Sequence, residues 1–193
     1  MRHKLEAKLH SKAEKFLKLG GNPILDFCNT YVSHANQIED RLETQKSAEL
    51  FFKTFFSAKI ALTQKQFTRL IELRLCLREY FLFLTGKDKS KNRYVRLAGF
   101  LDKVKLVIDW NQDSKTFSNL SIADKDQKFL QPIISNFFEL SKDLDESRIK
   151  VCSNANCSHF FYDSTKNKTR SWCSMKSCGN LMKARRFQAR KSV

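Results

Sequence analysis

Four cysteines in the last quarter of the sequence constrain its fold more than any other feature. They form two pairs with four residues inside each pair, and fifteen residues separate Cys152 and Cys157 from Cys173 and Cys178. Cysteines at this spacing can bend the backbone into a knuckle that points both sulfurs at one ion, and four thiolates suit tetrahedral Zn²⁺. Because four protein ligands leave no open coordination position, the predicted zinc, one per chain, is structural rather than catalytic.

Two disulfides or four buried thiols are the alternative interpretations of these cysteines. No signal peptide precedes the first apolar run, so we expect a cytoplasmic location, where disulfides are rare. His159 follows the first pair, but four cysteines already satisfy the ion, so we expect a surface or hairpin histidine. Asp163 is the only acidic residue after position 151, and we expect it to cap a turn or to pair with Arg170.

The segment after Cys178 is predicted to be a helix that ends near Arg190. At 100° per residue, Lys183, Arg186 and Arg190 fall on one narrow stripe, and Gly179 on the same side leaves room for a close approach. A zinc-anchored helix with such a stripe suits phosphate contacts, whereas a solvated basic face is the alternative. The candidate nucleic-acid contacts are Arg170, Lys176, Lys183, Arg185, Arg186, Arg190 and Lys191.

The cysteine segment also resembles a known family. The residues that carry the resemblance are Cys157 to Phe161, Tyr162-Asp163-Ser164, Arg170, Trp172 to Met175, Cys178-Gly179-Asn180, Lys183-Ala184-Arg185 and Arg190. They are similar to the CGNR zinc finger of bacterial proteins, in which an N-terminal ABATE domain, assigned to stress-induced transcription regulators, precedes the finger. This chain departs from the family at Leu181, which replaces the name-giving arginine, and at Ser171, where an arginine is common. The resemblance implies DNA binding.

A second match lies near the start of the chain. The run from Gly21 to Thr30 is similar to the opening of the ABATE domain, in which a glycine turn leads into an L-D-x-x-N-T segment. Asp26, Asn29 and Thr30 can bond to each other or to nearby backbone, so we expect a polar cluster that fixes the first helix. The alternative is that this cluster lines a small-ligand pocket.

Periodic apolar residues predict a helical core between these two regions. Thr63-x-x-Gln66 is a capping box at the start of a long helix that runs to about Leu84. Further helices are predicted over residues 47–60, 91–103 and 124–144, the last one interrupted near Pro132, and a β-hairpin over 105–110 and 116–120. The predicted fold class is therefore mainly α with a small β element (α+β). The predicted division is a basic arm or helix (1–19), an ABATE-like domain (20–146) and the finger (147–193).

Charge and motifs together define the expected function. The formal net charge of +16 favours polyanionic partners, with an anionic membrane surface as the weaker alternative. No apolar run approaches the roughly 20 residues of a membrane span, and no nucleophile triad or glycine-rich phosphate loop supports an enzyme. We expect a zinc-dependent DNA-binding transcription regulator, located at the nucleoid, whose N-terminal domain senses a small-molecule effector or forms a homodimer. An RNA-binding or ribosome-associated protein and a zinc-scaffolded protein-interaction module are the alternatives.

Overall fold

The computed structural model describes residues 16–34, 37–87, 92–111, 113, 116–142 and 145–191. Its helices are α1 (Pro23–Cys28), α2 (Gln45–Phe56), α3 (Gln64–Leu84), α4 (Asn92–Leu101), α5 (Gln131–Lys142) and α6 (Asn180–Lys191). Its strands are β1 (Tyr31–His34), β2 (Gln37–Asp40), β3 (Leu106–Asn111), β4 (Thr116–Ile122), β5 (Ile149–Val151) and β6 (Phe160–Tyr162). The predicted α+β class is confirmed.

The described residues form two compact units. The finger unit joins the described residues up to Leu42 with those from Asp145 onward, and the helical unit covers the described residues between them. This grouping differs from the predicted division, which placed residues 20–146 in one domain. Local sequence patterns do not reveal it, because the contacts that build the finger unit join residues more than a hundred positions apart. Most of the predicted basic arm, residues 1–15, lies outside the described residues.

Helix α3 is the centre of the helical unit. Thr63 caps it in the predicted box: its hydroxyl accepts from the Gln66 N–H, and the Gln66 side chain accepts from the Thr63 N–H at 3.0 Å. Leu70, Leu77 and Phe81 along the helix are buried. Burial of such side chains stabilises the unit by roughly 1.5–3 kcal/mol each before conformational entropy is subtracted.

The end of the helical unit follows the predicted elements. Strands β3 and β4 pair antiparallel with Leu106 opposite Ile122, and the predicted hairpin is confirmed. A 3₁₀ turn over Lys125–Leu130 then leads into α5. Pro132 stands at the second position of α5, where a missing N–H costs no helical hydrogen bond, so the predicted interruption falls just before it.

Two further antiparallel pairs lie in the finger unit, β1 with β2 and β5 with β6. The β1–β2 pair was not predicted, because its polar strands lack an alternating apolar pattern. No helix in the described ranges is long and apolar enough to cross a membrane.

Candidate metal centre and its basic helix

The β5–β6 hairpin presents the first cysteine pair. Cys152 directly follows β5, where its N–H donates to the His159 carbonyl at 2.9 Å, and the Cys157 N–H donates to the Asn154 carbonyl at 2.8 Å. These two bonds close the backbone into a knuckle between the strands. The first knuckle therefore forms the connection of the β5–β6 hairpin.

The second cysteine pair is held by one turn of π-helix, Met175–Gly179, in which the Gly179 N–H donates to the Ser174 carbonyl at 3.0 Å. Gly179 is buried, and a Cβ there would collide with Met175 Sδ and lie 3.2 Å from the Trp172 ring. Met175 and Trp172 of the finger therefore occupy the space beside Gly179, and the close approach that this glycine permits is made to these two side chains. A side chain at this position would require the end of Met175 to move and the Trp172 ring to shift slightly.

The four cysteine sulfurs lie within 4.8 Å of one another, and all four side chains are buried. Two of the sulfur separations are 3.8 Å, from Cys157 to Cys173, and 3.7 Å, from Cys173 to Cys178. A tetrahedron with Zn–S bonds of about 2.3 Å has edges of about 3.8 Å, whereas a disulfide requires about 2.05 Å. No disulfide joins these four cysteines, so the cluster fits one structural zinc ion and the prediction is confirmed.

Electrostatics within the cluster also call for a cation. Hydrogen bonds from the Cys157 and Cys173 thiols lower the pKa of Cys152 to about 7. The same bonds raise the pKa of Cys157 and Cys173, because each of these thiols lies against the Cys152 sulfur. Four thiolates at this separation repel one another strongly unless a divalent ion neutralises part of their charge.

Two polar side chains contact the cluster from outside. Asn154 Nδ2 donates to Cys178 Sγ at 3.5 Å, and His159 Nδ1 lies 3.2 Å from Cys157 Sγ. Both side chains are buried, His159 with only 1% of its surface exposed, so the surface alternative for this residue was wrong. The hairpin alternative is confirmed, because His159 directly precedes β6 in the β5–β6 connection. Hydrogen bonds of this kind orient thiolate ligands and moderate their charge. Asn154 was not predicted as a contact of the cluster, since an asparagine inside a knuckle has no distinctive spacing.

The N-terminal segment completes this centre. Leu19 packs against the buried cluster of cysteines and Phe161, and the Tyr162 N–H donates to the Gly20 carbonyl at 2.7 Å. Through these contacts the residues before α1 cover the zinc-binding knuckles. The family resemblance gave no sign of this, because the two segments are far apart in sequence.

The predicted polar cluster Asp26, Asn29 and Thr30 is buried, and each side chain bonds to backbone. Asp26 accepts from the Gly20 N–H at 2.7 Å, and Thr30 donates to the Phe27 carbonyl at 2.7 Å. Asn29 bonds to strand β6 through the backbone of Phe160. Burial raises the pKa of Asp26 to about 6, against the opposing effects of backbone N–H bonds and of Lys18.

Arg170, a candidate phosphate contact, is engaged within the finger unit. Its guanidinium donates to the carbonyls of Leu19, Tyr162, Trp172 and Cys173 at 2.6–3.2 Å. Its central carbon also lies 4.4 Å from the Phe161 ring centroid. Five guanidinium N–H groups in a fixed fork suit such a set of acceptors. Arg170 therefore joins the N-terminal segment, β6 and the second knuckle.

Asp163 pairs with Lys150, whose Nζ lies 2.6 Å from a carboxylate oxygen that is fully buried. It also accepts from the Thr165 N–H and hydroxyl and from the Arg170 backbone N–H. Burial raises the pKa of Asp163, but these hydrogen bonds outweigh it and hold the pKa well below the usual range. The expected turn-capping role is confirmed; the partner of the ion pair is Lys150 rather than the Arg170 guanidinium.

Helix α6 begins two residues after Cys178, and its prediction is confirmed. Lys183, Arg186 and Arg190 are exposed along it. Among the described residues, no carboxylate lies within ion-pair distance of these three cations. Lys176 and Lys191 are also exposed, whereas Arg185 is half-buried and lies 3.8 Å from Met182 Sδ.

Residues 148–191 match the family model of the CGNR zinc finger. This match covers the knuckles and α6 but not the residues before Arg148, so the ABATE part of the resemblance stays a prediction. The comparison with curated proteins gave no match.

Proposed function

We propose that the chain is a zinc-dependent nucleic-acid-binding protein, and specifically a DNA-binding transcription regulator whose finger contacts DNA. The observation that carries this proposal is that some cations of the finger are bonded within the fold, whereas others are exposed to solvent. One group is used within the fold: Arg148, Lys150, Lys168 and Arg170. The stripe of Lys183, Arg186 and Arg190 on α6 is exposed and lacks a described acidic partner.

The charge around this stripe favours a polyanion. Asp163 is the only acidic residue in the matched segment 148–191, and it is buried and paired with Lys150. No carboxylate of that segment therefore weakens the field in front of α6. Three cations on one helix face can each contact a phosphate and release a counterion, which makes binding dependent on salt.

The zinc ion supports this surface indirectly. Cys178 ends the second knuckle two residues before the first residue of α6, so the metal fixes the start of the helix. The matched segment of about forty residues buries little apolar surface of its own, so the N-terminal segment packed on it and the bound metal together supply much of its stability. We expect that removal of zinc unfolds the start of α6, so that the three cations of the stripe no longer lie on one helix face. Only weak attraction of nucleic acid by the net charge would then remain.

Effector sensing is the part of the proposal that concerns the helical unit. This unit contains an open cleft of about 750 Å³ with a charged and polar lining that includes Arg69, Glu72 and Gln127. Charged and amide side chains of this kind can form hydrogen bonds with a small polar molecule. A thermal shift screen against polar metabolites tests this part, and an absence of stabilisation by any of them would count against it.

The test of DNA binding is fluorescence anisotropy with duplex DNA, single-stranded DNA and RNA across a salt series. The zinc-loaded wild type is compared with Lys183→Gln/Arg186→Gln/Arg190→Gln. We expect duplex DNA to bind best. The variant should reduce the double-logarithmic salt slope by about 2–3, or roughly 0.9 for each phosphate that the helix no longer neutralises.

A matched control removes the same charge elsewhere. Lys46, Lys53 and Lys128 are exposed lysines of the helical unit, and replacing all three by Gln gives the same net charge as the α6 variant. The proposal requires this control to bind like the wild type. Equal losses in both variants would mean attraction by net charge alone, and a preference for RNA would replace the DNA regulator with an RNA-binding protein.

A further inference from the structure

An aromatic side chain stands in the middle of the cationic face of α6. Phe187 has 60% of its surface exposed, more than any other phenylalanine with a described side chain. Lys183 precedes it by one helical turn, and Lys191 follows it by one turn with Nζ 4.7 Å from the ring centroid. A single exposed apolar side chain is common on protein surfaces; Phe187 is set apart by its position between Lys183 and Lys191 on the outer face of the helix.

The orientation of α6 puts Phe187 foremost. Only Leu181, Met182 and Arg185 of this helix are partly buried, and at 100° per residue their common direction is nearly opposite to that of Phe187. All other residues of α6 are exposed. Helix α6, about 18 Å long, is therefore exposed along most of its surface. The Phe187 ring lies on the side that faces away from the rest of the finger.

This shape selects among nucleic-acid surfaces. The major groove of B-DNA, about 12 Å wide, admits an α-helix, whereas the major groove of A-form RNA is too narrow for side chains to read. Inside the major groove, the apolar group that an aromatic side chain can contact is the 5-methyl group of thymine. Lys183, Arg186 and Arg190 then lie beside the ring, where they can reach phosphates.

We propose that α6 enters the major groove of duplex DNA with Phe187 foremost, and that its ring contacts the 5-methyl groups of thymine. This inference rests on the proposed function, since it assigns a base preference to the same helix. It makes Phe187 the residue that determines specificity, whereas the cationic stripe supplies affinity for any sequence.

The test compares two duplexes of mixed A·T sequence, one with thymine and one with deoxyuridine at every position, which differ only in the 5-methyl groups. We expect the zinc-loaded wild type to bind the thymine duplex about fourfold more tightly for each methyl contacted, as burial of one methyl-sized group implies. Phe187→Ala should bind both duplexes equally, with unchanged zinc content.

Phe138→Ala is the matched control. Phe138 is an exposed phenylalanine of the helical unit, and Lys142 one turn later lies 4.9 Å from its ring centroid, which repeats the Phe187 and Lys191 arrangement. This control should keep the preference for thymine. Zinc content and salt slope are measured for every variant, so a misfolded finger is recognised.

Each outcome decides between the two proposals. If the α6 charge variant loses affinity but the wild type binds both duplexes equally, the thymine contact is wrong and the DNA-binding proposal stands. Phe187→Ala could instead weaken binding to single-stranded DNA equally with and without the 5-methyl groups. In that case the ring stacks on bases, and the thymine contact is again wrong. If neither the charge variant nor Phe187→Ala changes binding, both proposals fail.

Discussion

The side chain of Asn29 exchanges two hydrogen bonds with the backbone of Phe160, although 131 residues separate them along the chain. Asn29 Nδ2 donates to the Phe160 carbonyl at 2.8 Å, and the Phe160 N–H donates to Asn29 Oδ1 at 2.8 Å. Both residues are buried, so water cannot replace either bond. The amide thus acts as a strand partner for β6, and the N-terminal segment belongs to the zinc-binding unit.

The first prediction removes this amide. Asn29→Ala removes both hydrogen bonds from the buried backbone of Phe160, so we expect the free energy of unfolding of the zinc-loaded protein to fall by about 2–4 kcal/mol. Urea denaturation at a fixed concentration of free zinc measures this free energy. The measurement uses a Trp110→Phe background, so that Trp172 is the only source of tryptophan fluorescence. Asn136→Ala is the control, since Asn136 Nδ2 bonds to the Pro132 carbonyl of its own helix. Equal stability of Asn29→Ala and the wild type would contradict the role of this pair.

The second prediction concerns the metal. Cys173 is central to the cluster, with sulfurs of Cys157 and Cys178 at 3.8 and 3.7 Å. We expect Cys173→Ser to lose the zinc and to unfold the knuckles, because a three-thiolate site binds zinc far more weakly than a closed one. Zinc per chain after gel filtration against a weak chelator measures this. Cys76→Ala, which removes a buried thiol of α3, should keep one zinc; full zinc retention by Cys173→Ser would refute the ligand set.

Sequence alone predicts those parts of the molecule that local spacing specifies. The two cysteine pairs, the capping box at Thr63 and the helix after Cys178 each depend on residues within a few positions of one another. The bond between Asn29 and Phe160 does not, and no local pattern links residues so far apart. The grouping of the N-terminal segment with the finger was missed for this reason.

Cations pose a different difficulty. Arg170 and Arg186 look equivalent in sequence, since both lie in the same basic segment with one acidic residue. Folding separates them: the carbonyls that surround the Arg170 guanidinium come from three separate parts of the chain, whereas Arg186 remains exposed. Only the folded backbone distinguishes a structural arginine from one available to a ligand.

The third prediction is a pH dependence at Asp26. Burial raises the pKa of Asp26 to about 6 in the folded protein, above its ordinary value of 3.8. The protonated Asp26 carboxyl therefore contributes to the free energy of unfolding fully below pH 3.8, and this contribution is lost as pH rises through about 6. The total effect is up to about 3 kcal/mol. We expect Asp26→Asn to become progressively more stable relative to wild type between about pH 4.5 and 7.5. The difference in unfolding free energy between the two proteins measures this, because the protonation of zinc ligands affects both alike. A difference that does not change with pH would contradict the assignment.

The fourth prediction breaks the ion pair of Lys150 and Asp163. Lys150→Met keeps the aliphatic stem but leaves the fully buried carboxylate without its cation, so we expect a loss of about 2–4 kcal/mol at pH 7. Lys142→Met is the control, because the Lys142 pair with Glu139 is exposed and such pairs contribute at most about 1 kcal/mol. Chemical denaturation of the zinc-loaded variants tests this, and equal effects at the two lysines would show that Asp163 does not depend on Lys150.

The fifth prediction separates the two kinds of arginine. Arg170→Gln removes guanidinium bonds to the carbonyls of Leu19 and Cys173, so we expect the unfolding free energy to fall by about 2–4 kcal/mol and zinc to dissociate more readily. Under saturating zinc, its salt slope for duplex DNA should equal that of the wild type. Arg186→Gln should show the opposite pattern, with unchanged stability and a slope smaller by about 0.9. Denaturation and anisotropy measurements on both variants test this prediction. If Arg170 contacted a phosphate, Arg170→Gln would also have a smaller salt slope for duplex DNA than the wild type.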